Sequence, residues 1–194
     1  AELSSFQLIS MRRSPDVAVV TNVTPNHLDV HKDMREYIDA KENIILHQDA
    51  FGRAVLNADN EITAGFRKDV RGRCLLFSRR HPVESGAWMD PDGEIRFSNG
   101  TDQTRVMNAS DIRIPGKHNI ENYLAAICAV WGEAGAEDVA GVARKFPGVE
   151  HRNEFVREFE GVRYYNDSIG TTPSRTINGA LSLFDRKILL IESL

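Results

Sequence analysis

Long apolar runs, a signal-like start, paired cysteines and a phosphate loop are all missing from this chain. Each absence narrows its class. No stretch of roughly 18 apolar residues occurs, so no membrane-spanning helix is expected. The first residues, Ala1-Glu2-Leu3-Ser4-Ser5, have no basic start and no apolar core, so no signal peptide is read there. The two cysteines, Cys74 and Cys128, are too few for a disulfide framework or a zinc site. They read as reduced, buried thiols of a cytoplasmic protein. Basic residues are in mild deficit: 24 Lys and Arg against 28 Asp and Glu give a net charge of −4. That balance argues against sequence-independent binding of nucleic acid. No G-x-x-x-x-G-K-[S/T] loop is present. The single Gly-Lys pair, Gly116-Lys117, is followed by His118 and has no glycine five residues before it. GxSxG and HExxH motifs are absent as well.

What remains has the make-up of a folded protein. Of 194 residues, 41% are apolar and 27% charged, which differs from a disordered tail and allows one large or two modest domains. Val17-Ala18-Val19-Val20-Thr21 predicts a buried strand of a parallel sheet. A turn-rich loop over residues 22–31 follows. Asp33 predicts an N-cap, with Glu36 as its capping-box partner, for a helix running to about residue 48. Strands are expected at 53–56 and 74–77, with a short helix at 61–70 between them, an α/β alternation. The pattern then changes. Residues 87–90 and 94–97, around Pro91-Asp92-Gly93, predict a hairpin, and 105–107 a third antiparallel strand. A long helix is expected at 119–133, with Leu124, Ile127, Cys128 and Trp131 on one stripe and Gly135 at its C′ position. A short helix over 137–145 precedes Pro147-Gly148, the expected boundary between a domain of residues 1–148 and one of 149–194. Strands at 154–159 and 162–165 join at Glu160-Gly161. Pro173 opens a helix to about residue 184, and 187–191 is a last buried strand. This unit begins a doubly wound domain, since about 45 residues cannot close a core alone.

Lys41 carries the strongest chemical signal. It lies three to four residues from Tyr37, Ile38, Ile44 and Ile45, on the inward stripe of its helix. Such a lysine either snorkels to water or has its pKa lowered by burial. A neutral amine can take up carbon dioxide and become an anionic metal ligand. In Asn22-Val23-Thr24-Pro25-Asn26-His27-Leu28-Asp29, after a strand, His27 is either a metal ligand or a surface residue, with Asp29 placed to orient it. Glu2, Ser4 and Ser5 offer the oxygen donors that Mg²⁺ prefers, or form an ordinary polar segment. Gly116-Lys117-His118-Asn119 leads into a helix with Asn122 one turn later. The two carboxamides share a face and either bracket a ligand or cap the helix. Arg152 can grip a phosphate, and Asp167 a metal or sugar hydroxyl; the plain readings are a surface arginine and an Asx turn.

Taken in order, Glu2-Leu3-Ser4-Ser5-Phe6-Gln7-Leu8, Asn22-Val23-Thr24-x-x-His27-Leu28-Asp29, Tyr37-x-x-Ala40-Lys41, Gly116-x-His118-Asn119-x-x-Asn122, Glu150-His151-Arg152 and Asn166-Asp167-Ser168 resemble a Mur ligase. The resemblance covers nearly the whole chain. It implies an α/β fold: a central domain of mostly parallel sheet with helices and a small antiparallel β subsheet, then the start of a Rossmann-like C-terminal domain. It implies an ATP-dependent amide-bond ligase of peptidoglycan synthesis, working through an acyl phosphate with Mg²⁺. The opening segment points to the type that adds D-glutamate to UDP-N-acetylmuramoyl-L-alanine. By the same resemblance Glu2, His27 and Lys41 are metal positions, with Lys41 carbamylated. Lys41 and His27 serve catalysis, and Asn119, Asn122, Arg152 and Asp167 hold the nucleotide. Ser5, His118, Thr171 and Arg175 are assigned to the substrate side. Ile169 stands where some members have a lysine. The family's phosphate loop and UDP-binding domain should precede Glu2, and more of the C-terminal domain should follow Ile191. The expectation is therefore a middle piece of an enzyme roughly twice as long, almost inactive by itself. Two alternatives stay open: a non-catalytic binding module on the same scaffold, and a related ligase such as a folylpolyglutamate synthase.

Overall fold

The computed structural model describes residues 1–24, 31–170, 176–177 and 179–185. The expected strand at 187–191 and the helix start at Pro173 lie outside the described residues; within them, 176–177 are helical and Ala180–Ser182 form a 3-10 turn. One sheet contains six strands in chain order: β1 (Val17–Val20), β2 (Arg53–Asn57), β3 (Arg73–Ser78), β4 (Ser85–Met89), β5 (Glu94–Asn99) and β6 (Gln103–Asn108). β1 to β4 pair in parallel, and β4 to β6 antiparallel. The predicted antiparallel strands thus extend the edge of the parallel sheet. A parallel neighbour normally needs a long crossover. Here the short link from β3 to β4 suffices because β4 pairs only with the end of β3, at Leu76, Phe77 and Ser78. Gly86 makes that junction possible. Its φ is +131°, and a Cβ there would lie 1.8 Å from the Leu76 carbonyl oxygen.

Alternation along the strands builds a core on each side of the sheet. Ala54 and Leu56 face one cluster with Ala18, Val20, Tyr37, Ile45 and Phe66. Val55, Leu75, Phe77, Ile95 and Phe97 face the other. The first cluster is covered by α2 (Met34–Leu46), and by α3 (Glu61–Gly65) and the 3-10 turn Phe66–Asp69, the latter two in place of the single short helix expected at 61–70. The second is covered by α4 (Lys117–Val130) and α5 (Ala136–Lys145), with Leu124, Ile127 and Cys128 fully buried. Arg53 ties the far end of α4 to the sheet by donating to the Ala129 carbonyl at 2.7 Å. Both cysteines are free, and burial pushes the Cys128 thiol up to about 12.

Two caps differ from expectation. The Asp33 carboxylate accepts the Glu36 amide at 2.9 Å, as an N-cap should. Glu36, however, reaches past Asp33 and accepts the Lys32 amide at 2.8 Å. Gly135 is not the C′ residue of α4. Trp131 leaves the helix in extended conformation and stacks on Phe97 at 4.0 Å, Gly132 takes the positive φ of +97°, and Gly135 caps the start of α5. The pull of the Trp131 ring toward the core ends α4 one turn early.

Past Gly148, β7 (Glu154–Phe159) and β8 (Val162–Asn166) form a separate two-stranded sheet. Its turn is Glu160-Gly161, with φ of +50° and +76°, the twist that suits a two-residue hairpin loop.

Candidate active site

The segment Glu2-Leu3-Ser4-Ser5-Phe6-Gln7-Leu8 folds as a capped turn. Ser4 and Gln7 form a reciprocal capping box at the start of α1 (Ser5–Leu8). That turn points Ser5 inward, where its hydroxyl lies 2.8 Å from His31 Nε2. It also keeps Glu2 close enough to Lys41 to act on its charge. Burial lowers the Lys41 pKa, and the Glu2 carboxylate opposes the shift. Lys41 Nζ stands 5.8 Å from the Tyr37 ring centroid. Burial favours the neutral amine that carbon dioxide uptake would need, and the Glu2 carboxylate is an oxygen donor of the kind a divalent cation takes. His27 lies outside the described residues. Among the described residues no three His, Cys, Asp or Glu side chains converge on one point; the oxygen donor that Lys41 would add as a carbamate is of another kind.

The second half of the site is a cleft of about 1030 Å³ between α4 and the β7–β8 hairpin. His118, Asn119, Asn122 and Arg152 all line it, so four of the residues singled out from sequence meet there. The fifth, Asp167, is not among the lining residues; it accepts the Asn153 amide at 3.0 Å and acts on the charge of His118. Gly116, with φ of +112°, turns the chain into α4 and puts His118 and Asn119 at its first turn. Asn119 donates to the Pro115 carbonyl at 2.6 Å, and its oxygen receives the Asn122 amide at 3.4 Å, so the two carboxamides form one unit. Burial, and the Arg152 guanidinium beside it, hold the His118 imidazole below its usual pKa, while Glu121 and Asp167 oppose. Arg152 sits in a strained loop: His151 and Asn153 have φ of +64° and +46°. Asn166 braces that loop by bonding to His151 Nδ1 at 2.9 Å. Thr171 and Arg175 lie outside the described residues.

Sequence reading missed the braces that tie the ends of β1, β2 and β3 to α4. Asn60 donates to Asn22 at 2.9 Å, and Asn57 to the Thr21 carbonyl at 2.9 Å. Asp59 accepts from Ser78 Oγ at 2.6 Å and from the Arg79 amide at 2.8 Å. Arg79 then pairs with Glu121 of α4 at 3.0 Å. These side chains run along the carboxyl ends of β1, β2 and β3, the edge where α/β sheets place ligands. In the sequence, Asn57-Ala58-Asp59-Asn60 shows only turn-forming residues at the close of a strand. His31, buried between α1 and α2, was also passed over. Its position two residues before a helix cap was its only signal.

A family model described as the Mur ligase middle domain matches residues 1–130. UDP-N-acetylmuramoylalanine--D-glutamate ligase of Acetivibrio thermocellus is 52% identical over 189 residues, covering 97% of this chain and 40% of that protein. The enzyme of the same name from Clostridium acetobutylicum is 48% identical over 191 residues, 98% of this chain and 40% of its own length. The chain therefore spans about 40% of the length of these curated relatives. Among solved structures, MurF from Acinetobacter baumannii superposes with a TM-score of 0.66 at 18% identity, over 94% of this chain and 40% of that one. MurC from Thermotoga maritima gives 0.62 at 21% identity, over 88% and 38%. At such identities the superpositions speak to the fold.

Proposed function

The chain belongs to the Mur ligase family, and from that membership we propose that it is the middle portion of an ATP-dependent, cytoplasmic ligase that joins D-glutamate to UDP-N-acetylmuramoyl-L-alanine in peptidoglycan synthesis. One observation carries this reading: identity of 52% to a D-glutamate-adding enzyme, sustained over 97% of the chain. Residues 1–148 would be the central ATP-binding domain and 149–194 the start of the C-terminal one. What supports a nucleotide seat is that His118, Asn119, Asn122 and Arg152 share a cleft of nucleotide size. Asn119 and Asn122 would offer paired donors and acceptors, Arg152 would offset phosphate charge, and Asp167 would accept from a sugar hydroxyl. Glu2, His27 and Lys41 would hold Mg²⁺. The neutral Lys41 amine forms an N–C bond to carbon dioxide and loses a proton, which gives an anionic oxygen donor. Bound ATP and Mg²⁺ supply the activation of a carboxylate that is otherwise a poor electrophile. His118, Thr171 and Arg175 remain proposed for the substrate side, whereas the Ser5 hydroxyl, expected there too, is buried against His31 and would act only through it.

The protein encoded by the complete reading frame around this sequence should release phosphate from ATP only when UDP-N-acetylmuramoyl-L-alanine and D-glutamate are both present. Release with a different amino acid in place of D-glutamate would overturn the substrate assignment. No release with any amino acid would favour a binding module. These 194 residues contain no phosphate loop, so on their own they are expected to release almost none.

A further inference from the structure

Two of the side chains assigned to Mg²⁺, those of Glu2 and Lys41, sit on segments that share one buried joint. Glu2 lies two residues before the Ser4 cap of α1, Lys41 lies on α2, and His31 stands two residues before the Asp33 cap of α2. The His31 side chain is almost fully enclosed, with the residue 4% exposed. Nε2 is 2.8 Å from Ser5 Oγ on α1, and Nδ1 is 3.4 Å from Glu36 Oε2 on α2. One face of the ring stacks on Phe6, with centroids 5.1 Å apart and planes within 3°. Tyr37 meets it edge-on at 5.3 Å, and the same Tyr37 ring neighbours Lys41 Nζ. The Glu36 carboxylate also accepts the Lys32 amide, so it ties the imidazole to the first turn of α2. A proton on Nδ1, facing Glu36, leaves Nε2 to accept the Ser5 hydroxyl. A phenylalanine could fill this volume and keep the stacking. The ring sets one nitrogen against a hydroxyl of one helix and the other against a carboxylate of the second helix.

We propose that His31 is a positioning residue for the metal half of the site, fixing the separation of Glu2 from Lys41. The inference rests on reading Glu2, His27 and Lys41 as metal ligands. Residues behind metal ligands typically alter affinity about 10- to 100-fold when changed.

The test uses the 194-residue chain with Mn²⁺ as a paramagnetic probe and ¹³C-bicarbonate to report a Lys41 carbamate. His31→Phe keeps the packing but removes both polar links. It should weaken Mn²⁺ binding about tenfold or more and reduce the carbamate signal. His31→Gln, which retains a link to Ser5, should recover part of the loss. Ser5→Ala, a smaller change, should act in the same direction, and the double variant Ser5→Ala, His31→Phe should be no worse than His31→Phe alone. Unchanged Mn²⁺ affinity and carbamate in a folded His31→Phe would overturn the proposal. So would a loss that follows only the fall in Tm, with no recovery in His31→Gln. If Glu2→Gln and Lys41→Ala also leave Mn²⁺ binding untouched, the metal reading itself fails, and the proposal falls with it for that separate reason.

Discussion

A lysine on the buried stripe of a helix must either reach water or shed its proton. Lys41 is held between those outcomes: burial lowers its pKa and the Glu2 carboxylate pushes back. Glu2→Gln removes the opposing charge, so the Lys41 pKa should fall further, as read by NMR titration of the lysine ammonium signals. An unmoved Lys41 would show that Glu2 is not its neighbour in solution. Next along the helix, burial and a hydrogen bond with Asp69 push the Glu42 carboxyl up to about 7. The folded chain then holds a proton that the unfolded chain has already lost above its ordinary carboxylate pKa. Stability should therefore be highest below that ordinary value and fall as pH rises through about 7. His118 works in the opposite sense, because its lowered pKa removes stability as pH falls below its ordinary value. Comparing urea unfolding of the natural chain with Glu42→Gln, at about pH 5 and about pH 8, isolates the Glu42 contribution. The variant should lose less stability over that interval. At this scale sequence reading reached Lys41 through its three-and-four spacing. It did not reach Glu42 or His31, whose partners Asp69 and Ser5 come from other elements.

The helix α4 shows how an element aims a site. Its far end is held by Arg53 and its near flank by the Arg79–Glu121 pair, while Gly116 sets the angle at which the chain enters. A Cβ at Gly116 would come within 2.6 Å of the His118 ring, and its φ of +112° disfavours any other residue. Gly116→Ala should therefore lower stability by about 1–3 kcal/mol in a denaturant titration, and displace His118 from the cleft wall. The stripe of Leu124, Ile127 and Cys128 made this helix legible in advance. Its end was not legible, because the choice between Gly132 and Gly135 was decided by Trp131 stacking on Phe97 across the core. The strands were legible for a related reason: apolar β-branched runs have few alternatives to a buried sheet. How β4 joins β3 was hidden, since the pairing depends on the close approach at Gly86.

At the scale of the molecule, a two-faced sheet presents the carboxyl ends of β1 to β3 toward α4. A rim of Asn60, Asn57, Asp59 and Arg79 links Asn22 at one side to α4 at the other. The hairpin β7–β8 brings Arg152 across to α4. Two strands cannot enclose a core, and Phe155, Val156, Phe159 and Val162 are accordingly exposed. The motifs made the chemistry legible as separate islands, and the fold brings His118, Asn119, Asn122 and Arg152 of two such islands to one cleft. Two groups in this region, the Tyr123 hydroxyl and the Asn153 carboxamide oxygen, are buried without a partner among the described residues, and both residues line the cleft. The most direct measurement of whether that cleft seats a nucleotide is an ADP titration of the ¹⁵N-labelled 194-residue chain followed by NMR. The side-chain amides of Asn119 and Asn122 and the backbone amide of Arg152 should shift together and saturably, and Asn122→Ala should abolish the response. Shifts confined to residues outside the α4–hairpin cleft, or a response that survives Asn122→Ala unchanged, would contradict a nucleotide seat there.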